Sequence, residues 1–158
     1  EYSVHYDLLP TGEVIFVGGT RLLADGVGTF RGNATEGAVP EVLLEVTRRA
    51  AEEVSLIGYH GPVGIDAFVG SLEGEEIMRP ICEINARWSF GRLALELADW
   101  FGGAVKWHHG RISDRANGLL PLERESGRGL WLLPDWCDPH GISGTWVEVM
   151  SARTEIAD

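Results

Sequence analysis

A chain of 158 residues is long enough for one domain with a core of its own. With 24 acidic against 13 basic side chains and a formal net charge of −11, it lacks the Lys/Arg surplus from which affinity for a nucleic-acid backbone comes. No apolar run approaches the ~18 residues that span a bilayer, no signal peptide is visible, and two cysteines make no disulfide framework; the expected setting is a reducing cytoplasm, with neither membrane nor nucleic acid as partner.

Residues 2–9 alternate loosely and stop at Pro10-Thr11-Gly12, a turn signal, and residues 13–23 read as a second strand, so the chain opens on a hairpin. Because Glu1-Tyr2-Ser3-Val4 already reads as mid-strand, the sequence suggests a piece of a longer polypeptide. Residues 26–37 are glycine-rich and read as a loop; no Walker lysine follows Gly18-Gly19 or Gly26-Val27-Gly28, so these read as turn glycines rather than phosphate loops. Pro40 opens a helix from a first-turn position, where its missing N–H costs nothing. Val42, Leu43, Val46, Ala50, Val54 and Ile57 trace the apolar face of that helix, Glu45, Arg48, Arg49, Glu52 and Glu53 the solvated one, and Gly58 ends it.

Residues 62–70 and 77–86 read as a hairpin across the polar link 71–76. A helix over about 91–101 follows, with Leu93, Leu97, Trp100 and Phe101 as its buried stripe. In the tail, 129–133 and 144–150 read as strands around a turn-rich loop, and 102–128 show no clear element. The six tryptophans are expected to anchor packing, and Cys82, in an apolar run, to be a buried thiol. These elements imply an α+β fold: a mostly antiparallel sheet with helices packed on one face and extra strands from the tail.

Chemistry concentrates between Gly58 and Arg92. A hairpin centred on Gly74–Glu75 sets Asp66 opposite Glu83 and Asn85 opposite Gly64. Side chains alternate along a strand, so Asp66 and Phe68 share a face with Glu83, Asn85 and Arg87. Val63, Ile65, Ala67, Val69, Cys82 and Ile84 form the other, apolar face, expected to be the core side. Paired carboxylates repel, and a divalent cation relieves that repulsion. A polar sheet face turned to water is the plainer reading, and Pro80 marks a place where a bulge would slip the register by one.

Gly58-Tyr59-His60-Gly61-Pro62-Val63-Gly64-Ile65-Asp66, followed by Glu83-Ile84-Asn85-Ala86-Arg87, resembles the ATP-grasp signature, in which an acid follows a G-Y-x-G turn and the next strand carries Glu-x-Asn-x-Arg. The opening Glu1-x-Ser3-Val4 strand and the helix at Pro40 are similar to that family's central segment, so the resemblance covers residues 1–102. It implies the C-terminal part of an ATP-grasp fold over 1–102, with 103–158 a family-specific extension packed on it. The implied activity is an ATP-dependent carboxylate–amine ligase: Asp66, Glu83 and Asn85 would hold Mg²⁺ or Mn²⁺ bridging ATP phosphates, Phe68 would pack on adenine, and Arg87 would stabilise the transferring phosphoryl group or acyl-phosphate. Arg21 and Arg31 lie in segments where such enzymes contact phosphate or acid.

The implied partners are carboxylate and amine small molecules and an N-terminal lobe carrying the phosphate-clamping lysines, without which the chain would bind ATP poorly and turn over little; a homodimer stays open. After Arg87 the sequence lacks the Glu four residues on that biotin carboxylases carry and the Pro-Gly turn of D-alanine–D-alanine ligases. A catalytically silent ATP-grasp relative and a metal-free structural domain are the alternatives. His108-His109 with Asp114, and Cys137 with His140, lack zinc-ligand spacing and read as surface and turn residues; Ser89, Ser143 and Ser151 lack a nucleophile elbow.

Overall fold

The structure is a computed structural model that describes residues 1–111, 129–133 and 143–150. Its elements are β1 (Tyr2–Leu8), β2 (Val14–Ala24), β3 (Phe30–Ala34), α1 (Glu41–Leu56), β4 (Gly61–Leu72), β5 (Glu75–Asn85), α2 (Phe90–Phe101), β6 (Val105–Arg111), β7 (Gly129–Leu133) and β8 (Ser143–Val149). Among the described residues the strands form one sheet in the order β5-β4-β1-β2-β3-β6-β8-β7, and each pairing is antiparallel. The fold is α+β. β6, β8 and β7, all from beyond residue 102, continue the same sheet past β3. No helix of the described residues is long and apolar enough to cross a membrane.

The two helices do not share a face as expected. Along β1, Val4, Tyr6 and Leu8 are buried in a cluster with Ala50 and Ala51 of α1 and Val63 and Ile65 of β4. Ser3, His5 and Asp7 alternate to the other side, where α2 lies: His5 abuts Gly91, and Arg92 pairs with Asp7. On that side Ala94 packs with Val105, Trp107 and Val147. The connectivity makes this arrangement. The chain leaves edge strand β5 and must cross β4, β1, β2 and β3 to reach β6, and α1 already covers the opposite face. A buried polar row, Ser3, His5, Thr20 and Asn33, is the consequence.

In α1 the buried residues are Leu43, Thr47, Ala50 and Ala51. Thr47 belongs to the core because its hydroxyl meets the Leu43 carbonyl at 2.6 Å and the Tyr6 hydroxyl at 2.9 Å, which satisfies a buried phenol. Val42 and Ile57, expected on the apolar stripe, are 46 % and 84 % exposed. Pro40 stands one residue outside the helix at the N-cap, and Gly58 follows the C-cap at φ 93°, the left-handed conformation glycine tolerates.

Other expectations are corrected. The glycine-rich loop contains β3, and Gly18-Gly19 lie within β2 rather than in a turn; a methyl on Gly19 would collide with Val39. Cys82 and Ile84 are exposed because β5 is an edge strand, leaving the expected apolar face of the hairpin buried on β4 alone. Among tryptophans with described side chains, Trp107 is buried whereas Trp88 and Trp100 are exposed. The expected tail strands are present as β7 and β8, and β6 lies in the stretch with no clear sequence signal. Asp114, Trp136, Cys137, His140 and Ser151 lie outside the described residues.

Candidate functional site

The β4–β5 turn is two residues long, Glu73 and Gly74, both at positive φ (54° and 88°), which suits the right-handed twist of a hairpin. It is centred one position earlier than the sequence suggested. Near the tip Leu72 pairs with Glu75 and Phe68 with Arg79. A bulge then sets Pro80, Ile81 and Cys82 against Ala67, at a residue with no N–H to give the ladder. The slip restores the expected pairs, Asp66 with Glu83 and Gly64 with Asn85. The slip is of two residues rather than the expected one, which leaves each side chain on its original face, so the expected pairing arises by a different route.

The carboxylates of Asp66 and Glu83 line one cleft of about 460 Å³ together with Asn85 and Arg87. Asn85 Nδ2 donates to Asp66 Oδ2 at 3.2 Å, and Arg87 Nη2 donates to Asn85 Oδ1 at 2.9 Å, so carboxylate, amide and guanidinium form a chain. Arg87 Nη1 also donates to the Trp88 carbonyl at 3.2 Å. Burial pushes the Asp66 carboxyl above its ordinary pKa; the facing Ser3 hydroxyl pulls it down, Glu83 and Glu1 push it up, and Arg87 pulls it down.

The floor of the cleft is part of the buried polar row: Ser3 on β1, beside Asp66 in register, and Asn33 on β3, whose Oδ1 accepts from the Thr20 hydroxyl at 3.2 Å. One wall is the start of α2, where Ser89, Phe90 and Gly91 line the cleft. Ser89 is the N-cap, its Oγ accepting from Arg92 N at 3.3 Å. Arg92 holds that end of the helix down: it reaches both Asp7 carboxylate oxygens, at 2.7 and 3.1 Å, bonds Glu96 at 2.7 Å, and lies 4.9 Å from the centre of the Trp88 ring. β1 thus positions both the acid site, through Ser3, and the helix that overhangs it, through Asp7.

Three residues expected at the site do not line this cleft. Phe68 shares Asp66's face, but its ring lies over Gly70, further along β4. Arg21 is exposed and alternates away from Thr20 and Leu22, which face the α2 side. Arg31 is held by Asp25 in the β2–β3 turn, through Nε at 3.1 Å and Nη2 at 2.8 Å. His108, read as a satisfied surface residue, has Nε2 3.3 Å from Glu148. Sequence reading missed Phe30 and Phe90, which meet in the cleft from elements 60 positions apart.

Among the described residues no group of three or more His, Cys, Asp or Glu could hold a metal ion unaided. The donor set suits a weaker arrangement. Mg²⁺ takes one or two carboxylates, keeps waters and completes its shell with substrate phosphate. Asp66 and Glu83 would be those two ligands, with the Asn85 amide turning its oxygen away from Arg87 to join them. No family model matches the chain, and no curated protein matches it.

The raised pKa of Asp66 has a direct consequence. At neutral pH the carboxylate is ionised at a cost to the fold, a cost present above the raised pKa and lost as pH falls below it. Asp66→Asn keeps an acceptor for Asn85 and removes that charge. The variant is expected to gain about 1 kcal/mol and to melt about 2–4 °C higher at pH 7. A lower melting temperature by calorimetry would show that Asp66 stabilises the fold.

Proposed function

We propose that this chain is the C-terminal catalytic half of an ATP-grasp ligase, which uses Mg-ATP to convert a carboxylate to an acyl-phosphate for attack by an amine. The observation that supports this most is the convergence of Asp66, Glu83, Asn85 and Arg87, four residues of the family pattern, in one cleft beside a helix N-terminus. The cation supplies charge neutralisation for the phosphates when bound. Asp66 and Glu83 would hold it, Arg87 would offset the charge that builds on the transferring group, and the start of α2 forms one wall of the cleft. Phosphoryl transfer needs little more than such positioning and charge compensation.

On this reading a second lobe supplies the lysines that clamp the nucleotide, Mg²⁺ or Mn²⁺ is the cofactor, and the enzyme works in the cytoplasm. The placement of Phe68 outside the cleft and the pairing of Arg31 with Asp25 favour a second reading, a non-catalytic ATP-grasp-like binding or assembly module. Release of ADP by the protein with its second lobe, measured with carboxylates and hydroxylamine as the trapping amine, separates the two. Mg²⁺-dependent ADP release with hydroxamate formation is expected. Nucleotide binding without ADP release would favour the assembly module.

A further inference from the structure

Beyond the acid site, the cleft contains an aromatic surface to which the proposed reaction assigns no role. Phe90 stacks on Phe30, with ring centres 6.3 Å apart and planes 18° apart, and on Trp107, at 5.4 Å and 20°. Trp107 is 4 % exposed, whereas Phe90 is 54 % exposed and, with Phe30, lines the cleft beside Leu22. The buried Trp107 ring therefore backs Phe90, which lines the cavity together with Phe30. Phe90 packs on Trp107 and Phe30 and still leaves half of its surface exposed; in a concave site that remaining surface is preformed for a flat ligand group.

The position of these rings selects which substrate carries that group. Asp66 and Glu83 lie on β4 and β5, and Phe30 on β3, three strand spacings or about 14 Å from β4. The rings therefore lie away from the carboxylates. Phe90 belongs instead to the segment that begins with Arg87, the cation among the described lining residues, and it opens α2, whose N-terminal N–H groups favour negative charge. An anion at Arg87 with a short tether places a ring at Phe90.

We propose that the carboxylate substrate is an aryl acid, or one with a similarly flat apolar group, held with its ring against Phe30 and Phe90 and its carboxylate at Arg87. This rests on the ligase reading for the fate of the carboxylate, but the ring site stands on the aromatic geometry alone. No covalent step beyond the proposed activation is involved.

The test is a calorimetric or NMR titration of the chain in Mg²⁺ with 3-phenylpropionate, against propionate and 2-phenylethylamine. Phenylpropionate is expected to bind roughly tenfold or more tighter than propionate. Phe90→Leu, which keeps apolar bulk, and Phe30→Ala should each remove most of that gap, with folding checked by thermal melting. Equal affinity for the two acids, or an aryl preference unchanged in both variants, overturns the ring site. Tighter binding of phenylethylamine overturns the assignment to the acid substrate. Failure of the ligase reading gives a different result: the ring preference persists, but neither ADP release nor an effect of Mg²⁺ on the affinity for phenylpropionate is found.

Discussion

Glu83→Gln is expected to lower Mg²⁺-dependent ADP release by the protein with its second lobe by roughly 100-fold or more, the size seen when a charge-stabilising group is removed from a reaction centre. Glu83 is exposed on an edge strand, so the amide replaces it without emptying the core or breaking a ladder bond. It removes one of two carboxylates that face each other in register, leaving Asp66 as the single cross-strand ligand. Stability should change little, since the substitution also removes a like-charge neighbour. ADP release within a few-fold of the parent, with an unchanged melting temperature, would contradict a metal role for Glu83.

Acidification is expected to remove a large part of the fold's stability through His5. The imidazole is 1 % exposed beneath α2, against Gly91 and Gly64, with Ser89 Oγ 3.5 Å from Nδ1. Burial, aided by the nearby Arg92, lowers its pKa from 6.5 to about 4. The native state therefore holds the ring neutral through a pH range in which the unfolded chain protonates it. Between pH 6.5 and 4 the unfolded state binds more protons, so stability falls as pH falls, by roughly 3 kcal/mol from this group. His108, also lowered by burial but raised by Glu148, adds a part in the same direction.

Denaturant unfolding at pH 7.5 and 4.5 gives the loss for the parent and for His5→Asn. Paired carboxylates lose stability on acidification in both proteins, so the readout is the difference between them. The parent should lose more, by about 2–3 kcal/mol. Equal losses would mean that the ring is protonated, or reached by water, in the native state.

Local patterns made much of this architecture legible. The alternation of Val4, Tyr6 and Leu8, the turn at Pro10–Gly12, the span from Pro40 to Gly58 and the β4–β5 hairpin all follow from short-range rules of period and backbone conformation. That Asp66 and Glu83 share a face was also legible, because a two-residue slip preserves facing; their direct pairing depends on the bulge at Pro80. What local sequence does not encode is which strand lies at an edge and which face a crossover covers. Cys82 and Ile84 look like core residues in their own run and are exposed because nothing pairs beyond β5 among the described residues. Ser3 and His5 look like the wet side of a hairpin and are buried because α2 returns over them.

The same limit explains β3 and the aromatic wall. Gly32 and its neighbours read as loop, yet glycine is needed there because the Trp107 carbonyl lies against it in the adjoining strand, a contact between residues far apart in the chain. Phe30 and Phe90 acquire a common role only when β2–β3 and the start of α2 are brought over the same cavity. Arg21 and Arg31 were singled out by their segment alone; strand alternation turns the first away and an Asp25 ion pair holds the second.

The central claim, that Asp66 and Glu83 hold a divalent cation together, is tested most directly by titrating Mn²⁺ into the protein with its second lobe and into its Glu83→Gln variant, with bound ion read by water-proton relaxation in the presence of ATP. Saturable binding of about one ion by the parent, weakened roughly tenfold or more in the variant, is the predicted result. Equal binding by both proteins, or none by either, would contradict it and leave the cleft an acidic groove with an aromatic wall.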